Sequence, residues 1–286
     1  MTITIRDFTV RLAETPEERR DVLRLRYDVF IEEENYEASA QEHALREEHN
    51  KYDSAADYMA VFHNGRVVAT ARLITREGAA AMGGFYSEDE FDISKIRRVR
   101  GNIVEISRAC VAKDYRDNPM ALSLLWIGIG NYALKNKVAL MFGMVSWTGQ
   151  DPSVSKNAIS YLYHYHLAPR YLRATVRPEF MTAQGLDAAK ISNMNLVPKK
   201  DIDMNVARSE MTPLLKGYLN LGAATFGDGI TMDIPQNSYA ALVILRTRDV
   251  KPAYQRRFAG ADGAFDKIKI KPRWYELVWN FISFKR

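Results

Sequence analysis

With 286 residues, 47% of them hydrophobic and 26% charged, and no long Gly, Ser or Pro tract, the chain can bury a core and does not read as disordered. A single cysteine, Cys110, excludes an internal disulfide and any Cys-rich zinc site and suits a reducing compartment. The net charge of +5 favours anionic partners, whether nucleic acid, anionic lipid or an acidic protein, without choosing among them.

The amino terminus, MTITIRDFTV, lacks the basic start, apolar run and cleavage site of a secretory signal. No stretch reaches the apolar length of a spanning helix, so cytoplasmic residence is expected. A first strand is predicted near residues 8 to 13. Thr15, Pro16, Glu17 and Glu18 then supply a cap, a first-turn proline and early acids for a helix running through RRDVLRLRYDVFIEEE. After a polar stretch to Asn50, DYMAVF and RVVATARLIT flank His63-Asn64-Gly65, the pattern of a hairpin. The segment NIVEISRACVA alternates as a strand, with Ile103, Glu105 and Ser107 on one face and Val104, Ile106 and Arg108 on the other.

Downstream, NPMALSLLWIGIGNYALKNK reads as a long apolar helix with a proline near its start and lysines at its end. VALMFGMVSW is a continuous apolar run of the kind found in central strands. A helix over SKNAISYLYHYHLA and a late strand in SYAALVILRT complete the pattern. The order gives an α/β fold with a mixed central sheet flanked by helices, read as one large domain over residues 1–258. Residues 259–286 form a basic, aromatic tail. As a helix it gathers Trp274, Leu277, Val278, Phe281 and Ile282 on one side, which suits either an anionic membrane surface or docking on the protein's own core.

The strings RLRYDVF, KYDSAADYMAV, VVATARLIT, GFYSEDEFDIS and VEISRACVAKDYR, in that order, resemble the lyso-ornithine-lipid synthases. These are bacterial ornithine N-acyltransferases, distant relatives of the acyl-homoserine-lactone synthases within the GNAT fold. The likeness continues through ALSLLWIGIGNYA, MFGMVSW with TGQDP, SYLYHYHLAP, and PLLKGYLNLGA with GDGI, so it spans most of the chain. It implies transfer of a 3-hydroxyacyl group from acyl carrier protein to the α-amine of ornithine, forming a lyso-aminolipid. One member of the wider group acylates glutamine, and the matched strings do not separate the acceptors. Two departures weaken a lactone product: Asn50 stands where a D-x-x-D pair would place an acid three residues before Asp53, and Tyr36 stands for a usual Trp.

Related acetyl-CoA enzymes carry a glycine-bearing loop at the head of the central helix. Here that stretch is Arg116-Asp117-Asn118-Pro119-Met120-Ala121, without glycine, which favours a carrier-protein donor and no tightly bound cofactor. Arg97, Arg98, Arg100, Lys113 and Arg116 are expected to form a basic patch that receives the acidic carrier. The resemblance assigns Arg26, Phe30, Asp53, Arg72, Glu105 and Arg108 to the site. Asp53 would hold a substrate ammonium, and Arg26 and Arg72 would order the site or bind the acceptor carboxylate; the plainer alternative for each is a solvated charge or a simple ion pair beside the sheet.

An α-ammonium has a pKa of roughly 7.7 to 8.0, so acylation needs a base. Glu105, set in an apolar strand, is the candidate, and Glu105→Gln is expected to keep the fold while losing turnover. The plainer alternative is an ion pair with Arg72 or Arg108. Backbone N–H groups near Ala109 to Val111, with Ser107 or Arg108 beside them, are candidate donors to the oxyanion.

Cys110 reads as a small buried hydrophobe rather than a nucleophile. His164 and His166 make a weak metal signal and are expected at a helix end, so no metal is expected. Phe85, Trp126, Phe142 and Trp147 are candidates to wall an acyl tunnel, or plain core. A signal synthase that makes an acyl-amino acid or acyl-lactone is the competing enzyme. A binding module for membranes or nucleic acid is the competing class, without a stacking motif or basic recognition helix to support a nucleic-acid partner.

Overall fold

Ten strands share one mixed sheet in a computed structural model, which describes residues 2–259. In chain order they are β1 (Ile3–Ile5), β2 (Phe8–Leu12), β3 (Asp57–His63), β4 (Arg66–Thr75), β5 (Phe91–Asp92), β6 (Asn102–Val111), β7 (Val138–Thr148), β8 (Thr175–Val176), β9 (Ala224–Asp233) and β10 (Ser238–Arg246). Across the sheet the order is β1-β2-β3-β4-β6-β7-β10-β9-β8-β5. Neighbours run antiparallel except β6 beside β7 and β8 beside β9. This is the predicted α/β class. β9 is absent from the sequence reading because Gly227, Asp228 and Gly229 interrupt its alternation, yet it pairs with β10 along most of its length.

Local chemistry explains the elements that frame the site. Asn64 at φ 50° and Gly65 at φ 80° make the two-residue left-handed turn that suits the twist of the β3–β4 hairpin. Helix α1 (Pro16–Arg26) begins with a reciprocal capping box between Thr15 and Glu18. Past Arg26 the predicted single helix continues as a π-helix, Tyr27–Glu33, a wider turn that recurs at functional sites. Helix α2 (Pro119–Lys135) starts on Asn118, whose side chain accepts from the Met120 N–H, with Pro119 at its first position.

Helix α2, together with α3 (Lys156–His166) and α4 (Pro213–Asn220), buries one face of the sheet through Leu124, Leu125, Ile129, Ile159, Leu162 and Leu215. Helix α1, the π-turn and the segment leading into β5 bury the other face through Val22, Leu25, Phe30, Phe85 and Phe91.

At the centre of the sheet one ladder stops early. β6 and β7 pair at four positions, from Asn102 opposite Val138 to Glu105 opposite Phe142. Beyond Glu105, β6 stays with β4 while β7 stays with β10, and the two strands part. Gly143 marks the fork: a Cβ there would lie 2.0 Å from the Ile106 carbonyl oxygen, which no side chain tolerates. Gly143→Ala is therefore expected to cost about 1–3 kcal/mol through forced separation of the strands. Chemical denaturation checks this, and an unchanged midpoint would mean that the close approach is not required.

Among the described residues no helix is long and apolar enough to cross a membrane. The predicted tail lies, from residue 260 onward, outside the described residues.

Candidate active site

Where β6 leaves β7 its strand pattern breaks. Ser107 faces Arg72 and Cys110 faces Thr70, so Arg108 and Ala109 together oppose Ala71 in a β-bulge. Arg108 sits at φ 49°, in the left-handed region that costs a non-glycine residue about 1 kcal/mol or more. The extra residue resets the alternation. Arg108, expected on the face of Val104 and Ile106, turns instead to the face of Ser107 and meets Glu48, Tyr86 and Gln236.

A buried chain of charges runs from there across the sheet. Arg108 Nε donates to Glu48 at 3.1 Å, and Glu48 also pairs with Arg26. Arg26 reaches Asp53 through two bonds of 2.8 and 3.2 Å, and Asp53 accepts from Arg72 at 3.1 Å. Arg72 in turn donates to the Ser107 hydroxyl at 3.0 Å. Burial alone would raise both carboxyls, but the Arg26 and Arg108 charges hold Glu48 below its usual range, and those of Arg26 and Arg72 do the same for Asp53. Three guanidiniums against two carboxylates leave the chain with one net positive charge. Phe30 and Tyr36 stack on each other with centroids 5.4 Å apart, and Arg108 lies 5.5 Å from the Phe30 ring and 4.9 Å from the Tyr86 ring.

The structure thus brings together Arg26, Phe30, Asp53, Arg72, Ser107 and Arg108, but it corrects the role given to Asp53. That carboxylate already accepts from Arg26 twice, from Arg72 and from the Asn50 N–H at 2.7 Å, so its lone pairs are taken and none is left for a substrate ammonium. Asn50, which replaces an acid of the expected pair, caps the turn that positions Asp53.

Glu105 is wholly buried and pairs with neither Arg72 nor Arg108. Its two oxygens accept, at 2.7 Å each, the N–H groups of Tyr86 and Ser87 at the start of a 3-10 turn (Tyr86–Asp89). Burial raises its pKa to about 7 against the pull of those bonds. Because a Gln amide would turn an NH₂ group toward one of the two N–H donors, Glu105→Gln does not leave the fold untouched, contrary to the expectation from sequence.

Between the parted strands lies a narrow cleft. Ile106, Ser107, Arg108 and Ala109 line it from β6, Met144 and Ser146 from β7, and Leu214 and Tyr218 from α4. Its volume is ≈ 60 Å³, room for about two waters and too little for an amino acid or an acyl chain unless its walls part. Tyr36, Tyr86, Glu90 and Gln236 line it as well and, with Arg108, contribute polar groups to its wall. Phe85, Phe142 and Trp147 belong to the core instead: Phe85 and Phe142 meet edge to face at 5.0 Å, and Trp147 stacks on Tyr239 at 5.4 Å. Trp126 backs the cleft through Tyr218, at 4.7 Å.

The five basic residues assigned to the carrier do not form one patch. Arg97, Arg98 and Arg100 precede β6 while Lys113 and Arg116 follow it, about 30 Å away along an extended strand. Arg97 and Arg98 line an open groove of ≈ 730 Å³ in which Glu88, Asp92 and Glu179 alternate with the cations. Lys113 and Arg116 lie at the end of β6 nearer the cleft, Arg116 paired with Glu33 at 2.8 Å.

Cys110 is buried, and burial pushes its thiol up, away from the thiolate a nucleophile needs. His164 and His166 close α3, hydrogen-bonded to Asn195 and Tyr161 respectively. Sequence reasoning missed Glu48, Tyr86, Glu90 and Gln236. Tyr86 and Glu90 sit inside the string GFYSEDEFDIS, where an acid among aromatic residues was the available signal.

Residues 25–126 match the family model described as an acetyltransferase (GNAT) domain. The chain is 30% identical over 264 residues to the L-ornithine N(alpha)-acyltransferase of Rhodobacter capsulatus, a match covering 88% of this chain and 96% of that protein. It is 32% identical over 259 residues to the protein of the same name from Agrobacterium fabrum, covering 87% and 84%. Among solved structures, the coenzyme A-dependent acyl-homoserine lactone synthase BjaI is 16% identical, with a TM-score of 0.48 over 91% of this chain and 96% of that one. Likeness to curated enzymes along nearly the whole of both chains decides the matter: this protein is an acyltransferase and belongs to the family of the L-ornithine N(alpha)-acyltransferases.

Proposed function

We propose that the protein transfers a 3-hydroxyacyl group from the phosphopantetheine thioester of acyl carrier protein to the α-amine of ornithine, giving a lyso-ornithine lipid. The observation that carries this reading is the cleft between β6 and β7, lined by apolar side chains together with buried polar groups. From Ile106 to Val111 the edge of β6 toward β7 has no ladder partner, so alternate residues there present N–H groups to a thioester oxygen. The neutral amine attacks the carbonyl carbon, a C–N bond forms, the C–S bond breaks, and the carrier thiolate leaves to take up a proton.

In this reading the ammonium's proton passes to Glu105. Glu105 does not itself line the cleft; it lies two positions before Ser107, which does, and receives the proton by way of the Ser107 hydroxyl or water. Its pKa of about 7 is close to that of the amine it serves.

A carrier donor fits the head of α2 better than coenzyme A does. Pro119 has no N–H, and the Met120 N–H is already taken by Asn118, so few donors remain for a pyrophosphate. Lys113 and Arg116 stand where an acidic carrier would approach that end of the cleft.

Purified protein incubated with 3-hydroxyacyl carrier protein and a mixture of amino acids, with products read by mass spectrometry, tests the reading. N-acylornithine is the expected product, formed faster than from acyl-coenzyme A. No N-acyl product from any amino acid, or product from acyl-coenzyme A alone, would overturn it.

A further inference from the structure

The carboxyl groups of the site differ in what satisfies them, and of these only Glu90 lines the cleft itself. Glu48 and Asp53 are matched by guanidiniums, and Glu105 by two backbone N–H groups. Glu90 is the exception. It is 4% exposed, lines the cleft beside Arg108 and Gln236, and has no cationic partner among the described residues. Its Oε2 accepts from the Thr231 hydroxyl at 2.5 Å, and its Oε1 has no partner among them. Asp233, whose oxygens accept only from Gln236, adds negative charge on the same side. Burial raises the Glu90 carboxyl to about 8, with Asp233 adding to the rise and the Thr231 bond and the nearby Arg108 charge offsetting only part of it.

Arg108 faces the same cleft with opposite needs. Its Nε and Nη1 are used by Glu48, Tyr86 and Gln236, while Nη2 has no hydrogen-bond partner among the described residues. One end of the cleft therefore offers a donor to a carboxylate, and a second point in it lacks a cation. An acceptor with one carboxylate and two amines answers both. Its α-amine must shed a proton to react, whereas its side-chain ammonium stays charged throughout and needs a permanent anion wherever water is excluded.

We propose that Glu90 binds the side-chain ammonium of the acceptor, with Arg108 on its carboxylate, so that the site selects diamino acids over neutral amino acids of the same length. This rests on the reading of the cleft as the site of amino-acid N-acylation. Thr231, bonded to Oε2, orients the carboxyl so that Oε1 meets the ligand. A neutral side chain gives Glu90 no reason to ionise and gains nothing from it.

The test compares ornithine with norvaline, which has the same carbon chain without the terminal amine, in the wild type and Glu90→Gln, using acyl carrier protein as donor. The wild type is expected to prefer ornithine in kcat/KM by about 10- to 100-fold, the worth of a hydrogen bond to a charged group. Glu90→Gln should lose most of that preference, with kcat/KM falling much further for ornithine, through KM, than for norvaline, and circular dichroism checking that the fold is kept. If Glu90→Gln instead lowers kcat for both acceptors alike, Glu90 is a proton acceptor and the proposal fails. Should the variant not fold, ornithine must protect the wild type against thermal unfolding more than norvaline does, and equal protection overturns the proposal. A wild type that acylates no amino acid would refute the broader functional reading instead, an outcome separate from these.

Discussion

Arg26→Ala is expected to destabilise the protein by about 3–5 kcal/mol, because it leaves Glu48 and Asp53 charged and buried without their shared cation. Arg26 is 1% exposed and the middle link between Arg108 and Arg72. Its loss leaves Arg108 alone to neutralise Glu48 and Arg72 alone to neutralise Asp53, breaks the link between the two halves of the chain, and is expected to abolish turnover. Arg26→Lys does not rescue it, since a single ammonium cannot span both carboxylates in the geometry of the fork.

Urea unfolding at two pH values separates charge from packing. Glu48 and Asp53 have folded pKa values held below their unfolded ones, so the stability they contribute is present above the unfolded carboxylate range, about 4. That contribution is lost as pH falls further toward the folded values. The gap between wild type and Arg26→Ala should accordingly narrow between pH 7 and pH 3. A gap that stays constant would mean that lost packing, not unpaired charge, sets the cost.

Glu105→Gln is expected to lower turnover by about 10²- to 10⁴-fold, the usual range for a missing proton acceptor, and to weaken the fold by about 1–3 kcal/mol. A base must be ionised to work, so kcat/KM of the wild type should rise with pH through about 7 and then level off. The substitution should remove that rise. If the rise survives while turnover falls, Glu105 acts only by clamping the Tyr86–Asp89 turn through its two hydrogen bonds, and the proton goes elsewhere.

Much of the frame was legible because short-range chemistry dictates it. The Thr15 and Glu18 cap, the Asn64-Gly65 turn, and Asn118 with Pro119 at the head of the central helix each announce an element boundary by residue type. Arg26, Asp53 and Arg72 come from separate elements, and only the resemblance brought them together before the structure did. The face of Arg108 was not legible. A bulge resets the period of two, and its left-handed position is taken by arginine, which carries none of the signal a glycine would give. The donor patch failed for a related reason: five basic residues within twenty positions look like neighbours until a ten-residue strand is laid between them. Glu48 and Glu90 were hidden because the sequence shows an acid but not what surrounds it.

The fork at Gly143 makes the sheet two leaves joined along a short spine. One leaf carries β1, β2, β3, β4 and β6, the other β7, β10, β9, β8 and β5, and four rungs of ladder join them against nine between β7 and β10. Among the long strands β6 and β7 share the shortest ladder, so a parting of the cleft walls beyond Glu105 breaks no strand pairing, and the leaves can turn about the first half of β6. Glu105, on the last rung, would stay nearly still as the pages open, and Ser107 and Arg108, just past it, would travel with the margin.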